Sequence, residues 1–166
     1  MRIAAVALLF GGLTIGGLDT GCRGRRIDDL DTLGTVRLTI KERAFELWIA
    51  DDSDEQTQGL MHVTAERMAP LPDGAERGMI FVFDHSRELT FWMKDTIIPL
   101  DIAYLDSTGR VVSTHTMAPL DVRPGQYPSG GAAQFAIEVN AGVWSDIGLR
   151  AGDAVTLPTT LLNPAP

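Results

Sequence analysis

Gly78-Met79-Ile80-Phe81-Val82-Phe83 is an unbroken apolar run between Glu76-Arg77 and Asp84. A strand with one wet face would put every second residue in water, so a run without alternation describes a strand covered on both sides. Upstream, Val36, Leu38 and Ile40 alternate with Arg37 and Thr39. Phe45, Leu47 and Ile49 resume that period after a turn at Lys41 to Ala44, which predicts a hairpin. Asp51 to Gln56 opens a short helix running to about Met61, with Ser53 and Gln56 as its capping box. Thr64 to Arg77 reads as loop. Downstream, Asp84 to Glu88 reads as a polar turn, Phe91-Trp92-Met93 as a strand and Ile97 to Leu105 as the longest strand. Asp106 to Gly109 turns the chain into Val111-Val112, and Met117 to Gly131 reads as an irregular loop. Ala132 to Val139 reads as a strand, Ala141 to Leu149 as a short helix and Ala154 to Leu157 as a last strand. About seven short strands and one or two short helices predict a mainly β single domain. A β-sandwich or jelly-roll-like barrel is the expected closure, since a sheet must bury its apolar face.

The chain has 166 residues, is 45% hydrophobic and 22% charged, and carries a formal net charge of -8, which describes one acidic globular domain. No basic surface is available to neutralise phosphates, so nucleic acid is not an expected partner. A lone cysteine, Cys22, excludes an internal disulfide framework and a cysteine-cluster metal site.

The first residues read as an address. Arg2 precedes an apolar run from Ile3 to Leu18, shorter than the roughly 20 residues of a membrane-spanning helix, which predicts a signal peptide over residues 1–21. A retained membrane anchor is the alternative. Leu18-Asp19-Thr20-Gly21-Cys22 resembles the lipobox of bacterial lipoproteins, with Asp19 where that pattern has an aliphatic residue. The resemblance implies lipidation at Cys22, a membrane partner through that lipid, and a location on the periplasmic side of the cell envelope. Residues 22–35 read as a linker in which Arg23, Arg25 and Arg26 face lipid headgroups or simply water. Residues 36–157 form the domain, and 158–166 a fraying tail.

Chemistry-bearing motifs are few. His62, His85 and His115 have no metal-ligand spacing, and Asp52-Ser53-Asp54 fails as a calcium loop at Gln56 and Thr57. No nucleophile elbow or phosphate loop is present, and no cofactor motif. The distinctive stretch is Phe91 to Ile102, with Lys94-Asp95-Thr96 at a corner and Asp101 behind Pro99. Lys41 and Lys94 are the only lysines beside twelve arginines. Two readings stand: a strand corner in which Lys94 pairs with Asp95 or Asp101 and Trp92 is core, or a small ligand pocket of Trp92, Met93, Lys94, Asp95, Thr96 and Asp101. Glu138, in a mostly apolar strand, faces either solvent or an interior donor.

These residues together resemble the domain of unknown function 192 family. They stand here as Gly59-Leu60-Met61, Gly78-Met79-Ile80-Phe81, Phe91 to Asp101, Ile137-Glu138 and Gly152-Asp153. Asp95 stands where that family has Asn, and His62 where a basic residue often follows the Met. The resemblance implies a compact jelly-roll-like β domain, frequently exported, and no particular activity. The resulting expectation is a non-catalytic module binding a small ligand or an envelope protein. The alternative is an envelope hydrolase using Lys94 with Asp95, Asp101 or Glu138.

Overall fold

The computed structural model describes residues 30–162, so the signal-peptide and Cys22 readings and residues 163–166 lie outside the described residues. The mainly β class holds. The strands are β1 (Thr35–Ile40), β2 (Arg43–Ala50), β3 (Glu76–Phe91), β4 (Leu100–Leu105), β5 (Val111–Met117) and β6 (Tyr127–Asn140). Of three short helices, α1 (Ser53–Gln58) lies between β2 and β3, while α2 (Val143–Asp146) and α3 (Thr159–Leu162) follow β6; a 3-10 turn at Leu30–Thr32 precedes the first strand. The strands form one mixed sheet in the order β1-β2-β3-β6-β4-β5, with β2 and β3 parallel and the other neighbours antiparallel. The sheet bends but does not close into a barrel.

The apolar run at Gly78 lies in the first half of β3 and is covered on both sides, as its lack of alternation predicts. Met79, Phe81 and Phe83 enter one core layer with Trp48, Leu100, Ile102 and Tyr104. Ile80 and Val82 enter the other, with Leu38, Phe45, Leu47, Phe135 and Trp144. The second layer is covered by α2 and the C-terminal segment, down to Leu161 in α3. Residues 158–162 are therefore docked rather than loose.

The first layer is covered by the sheet's own long strands together with Leu30, Leu60, Val63 and Met68 from outside the sheet. Phe81 and Phe91 lie ten positions apart in β3, which in a straight strand is about 33 Å. Their rings meet edge to face with centroids 4.8 Å apart, so β3 turns back over its own face. The register with β6 slips between Val82 and Arg87 and again between Glu88 and Thr90, which marks the bend. Ser129, fully buried at the bend, accepts from the Leu89 amide at 3.0 Å and donates to the Gly131 carbonyl at 2.6 Å.

Several boundaries differ from the sequence reading for identifiable reasons. Asp84 to Glu88 is the bend of β3 rather than a turn between strands, because its backbone keeps pairing with β6 through the slips. The strand ends at Phe91, β4 begins only at Leu100, and β3 is the longest strand. Part of the Met117 to Gly131 loop is strand, since β6 starts at Tyr127. Ala154 to Leu157 supplies a single bridge, Arg110 to Ala154, instead of a strand. The cap of α1 is Asp52, whose side chain accepts from the Asp54 and Glu55 amides while Glu55 returns the bond, so the capping box sits one residue earlier than Ser53 and Gln56. Lys41 and Glu42 alone make the hairpin turn, both with positive φ (47° and 68°).

Gly78 is fixed by space. A Cβ there would collide with the Glu138 carbonyl oxygen and lie 2.9 Å from both Leu47 Cδ2 and Val139 Cγ1. Gly78→Ala should lower stability by about 2–3 kcal/mol in chemical denaturation, with little loss of cooperativity.

Candidate functional site

The fold-back of β3 and β6 delivers two connections side by side over the first core layer. These are residues 92–99, between β3 and β4, and 118–126, between β5 and β6. Backbone hydrogen bonds join them: the Met93 amide donates to Asp121 O at 2.9 Å and the Leu120 amide to Thr96 O at 2.9 Å. A third bond, from the His62 amide to Asp95 O at 2.8 Å, ties in the turn after α1. Within residues 92–98 the side chains divide. Met93, Thr96 and Ile98 are buried, while Trp92 (50% exposed) and Ile97 (48%) face outward. Leu120 (58%) and Val122 (57%) on the neighbouring loop are exposed too. The Lys94 ammonium lies 5.4 Å from the centroid of the Trp92 ring, a cation over a π face.

The second loop is held rigidly from inside. Tyr127, buried in the core, accepts from the Ala118 amide at 3.0 Å and donates to Asp121 Oδ2 at 2.8 Å. Arg123 grips the same carboxylate through Nε at 2.8 Å and Nη2 at 2.6 Å. The Arg123 guanidinium, reinforced by Tyr127, holds the Asp121 carboxyl far below the usual carboxylate range. At the junction three non-glycine residues take left-handed backbone: His62 (φ 62°), Asp95 (54°) and Leu120 (57°). Such a conformation costs an ordinary side chain about 1–2 kcal/mol and is easier for Asn and Asp. This accounts for a short polar residue at position 95, whichever of the two stands there.

The predicted site residues converge only in part: Lys94 meets Trp92, while Asp101 and Glu138 stand elsewhere. Lys94 makes no ion pair with Asp95, Asp101 or Glu138; its ammonium sits over Trp92, which is itself at the surface and not core. Register explains the separation of the two buried carboxylates. Asp101 pairs with Val139 and Glu138 with Ile102, and successive strand residues point to opposite faces. Asp101 therefore points toward α2. There it accepts from Thr116 Oγ1 at 2.7 Å and from the Gly142 and Trp144 amides at 2.9 and 3.1 Å. Gly142 has no side chain with which to cap α2, so Asp101 supplies the cap from across the sheet.

Glu138 points into the other layer, among Met79, Ile102 and Tyr104, and keeps only 4% of its surface exposed. It finds no donor among the described residues, and burial pushes its carboxyl up to about 8. The Tyr104 hydroxyl is pushed upward by burial and then by Glu138, while it donates to Tyr127 O at 2.6 Å. Ile97, Leu120 and Val122 were not singled out from sequence. The available signal was apolar residues among prolines, where no periodic element could bury them.

Other places offer less. An open groove of about 500 Å³ runs between Lys41–Ala44, Asp73–Gly74 and Asp146–Ile147. Three of its five charged residues are engaged: Lys41 with Asp153 at 2.8 Å, Arg43 with Glu76 at 3.2 Å and Asp73 with Arg37 at 2.6 Å. Among the described residues no group of His, Cys, Asp and Glu could hold a metal ion, and no helix is long and apolar enough to cross a membrane.

A bent, open mixed sheet buried on both faces, carrying a loop-built apolar face, defines the class: a mainly β domain. The chain belongs to the domain of unknown function 192 family, whose model, described as "Uncharacterized ACR", matches residues 36–157. Two solved structures are similar. One is a protein of unknown function from Novosphingobium aromaticivorans DSM 12444, 32% identical, covering 75% of this chain and 85% of that one, with a TM-score of 0.62. The other, from Sinorhizobium meliloti 1021, is described as a "putative transcription regulator"; it is 29% identical, covers 74% of this chain and 90% of that one, and has a TM-score of 0.60. No curated protein matches the chain.

Glu138 keeps its proton to about pH 8 in the folded state, whereas the unfolded chain releases it near 4.5. The native state then binds the extra proton, so stability falls as pH rises from about 4.5 to 8. Glu138→Gln should remove that slope and gain about 2–5 kcal/mol over the parent at pH 8, and nearly nothing at pH 4, in denaturant titrations. At the left-handed corner, Asp95→Asn should leave the melting temperature unchanged, and Asp95→Ala should cost about 1 kcal/mol.

Proposed function

We propose that this is an exported, non-catalytic binding domain, held at the cell envelope by lipid on Cys22. It engages its partner through the face made by Trp92, Ile97, Leu120 and Val122 with Lys94. The observation that carries the reading is Leu120, which is held in left-handed backbone and is also the most exposed of these apolar residues. Neither backbone preference nor core packing favours leucine there, and a strained residue that folding does not need points to a role. The rest of the face fits recognition: a rigid aromatic, two more branched aliphatics and one cation, on loops already fixed by Tyr127 and Asp121. A small ligand or an envelope protein presenting an apolar group beside an acidic one would match it.

The hydrolase alternative needs Lys94 close to a carboxylate, and the cation lies over Trp92. Asp101 already accepts from three donors.

Leu120→Asn separates folding from binding. Relief of the backbone should stabilise the domain by about 1 kcal/mol and raise its melting temperature by about 4 °C. The same change should reduce severalfold the fraction of the Cys22→Ser mature chain that sediments with envelope membranes, and Trp92→Ala should reduce it further. Unchanged sedimentation in both variants would remove the binding face. An activity lost in Lys94→Met with the melting temperature intact would restore the enzyme.

A further inference from the structure

We infer that the partner of this face is the bilayer surface itself, with Trp92, Ile97, Leu120 and Val122 seated among the lipid headgroups; this rests on the lipid-anchored reading above. The chemistry suits an interface. Indole rings settle at the headgroup level, branched aliphatics enter the acyl boundary without hydrogen bonds to satisfy, and a lysine beside them keeps its ammonium among phosphates. Lys94 stands in that relation to Trp92.

Reach supports it. From Cys22 to Leu30 there are eight residue steps, at most about 29 Å fully extended. A domain of this size is roughly 35 Å across, so such a tether cannot bring every face to the membrane. Leu30, where the described fold begins, packs in the same core layer as Met93 and Ile98, the underside of the loop pair. The anchored end and the apolar face therefore lie on one side of the sheet.

Size and charge separate lipid from protein. Four side chains fall short of the roughly 800 Å² per partner of a stable protein interface, whereas insertion into a bilayer needs no matching partner surface. Lys94 and Arg123 are balanced by Asp95 and Asp121, and the chain as a whole carries -8, so apolar insertion drives the contact and headgroup charge adds little.

The test uses the full-length lipidated protein in phosphatidylcholine vesicles with or without brominated acyl chains. Trp48 and Trp144, each 2% exposed, provide a constant background that Trp92→Phe measures. Brominated lipid should quench at least half of the Trp92 emission, and the same vesicles should shield it from aqueous iodide. The double variant L120D/V122D should reverse both effects. Replacing a third of the lipid with phosphatidylglycerol should change the quenching less than twofold. Trp92 open to iodide and untouched by bromine overturns the inference. Shielding seen only in envelope membranes, and lost on protease treatment, overturns it in favour of a protein partner and leaves the binding face standing. An intact mass showing unmodified Cys22 overturns the anchored reading and this inference together.

Discussion

The structure depends on one bent strand pair. A sheet with apolar residues on both faces needs two covers; among the described residues α2 and the C-terminal segment cover one face, while loop residues such as Leu60, Val63 and Met68 cover only part of the other. β3 and β6 complete that second cover from their own length. By folding back they bring Phe91 and Tyr127 onto the face that carries Phe81 and Tyr104, where Phe91 meets Tyr104 at 5.7 Å. The buried backbone at the bend is paid for by Ser129, which supplies an acceptor and a donor where the ladder breaks. Without the bend, residues 92–99 and 118–126 would have no common surface to share.

The same sheet assigns different tasks to the two carboxylates buried in it. One residue of register separates their pleat positions, and that decides their chemistry. Asp101, surrounded by donors, behaves as a backbone-like cap that joins β4, β5 and α2. Glu138, surrounded by methionine, isoleucine and tyrosine, is a neutral group over much of the physiological range. A neutral carboxyl in an apolar layer costs far less than a buried charge, which is how the fold tolerates it without a cation nearby.

Sequence made the elements legible where periodicity is local. The hairpin and the doubly covered run at Gly78 follow from the spacing of apolar residues and from glycine placement. Segments whose pairing is set from a distance were read less well. Asp84 to Glu88 looks like a turn because it is polar, yet it is held in a strand by a partner some forty-five residues away, as Arg87 opposite Ala133 shows. The candidate site suffered in the same way. Trp92, Lys94, Asp101 and Glu138 stand out as residue types, but whether they meet is a matter of register, and register is not written in any one segment. The exposed trio Ile97, Leu120 and Val122 was hidden because apolar residues are expected inside, and only the fold shows three of them outside.

An open sheet leaves two terminal strands, β1 and β5; among the described residues no further strand pairs with either, and the C-terminal segment takes up the backbone of β5 only at Val111. Copies tethered to one surface would be confined to two dimensions and could pair edge to edge at concentrations never reached in solution. Along β1, Arg37 is locked between Glu46 and Asp73, which sets charge beside the vulnerable backbone. The acidity of the whole chain adds mutual repulsion between neighbours. For copies tethered as proposed, the surplus of carboxylates would act as a spacer between unfinished sheet edges.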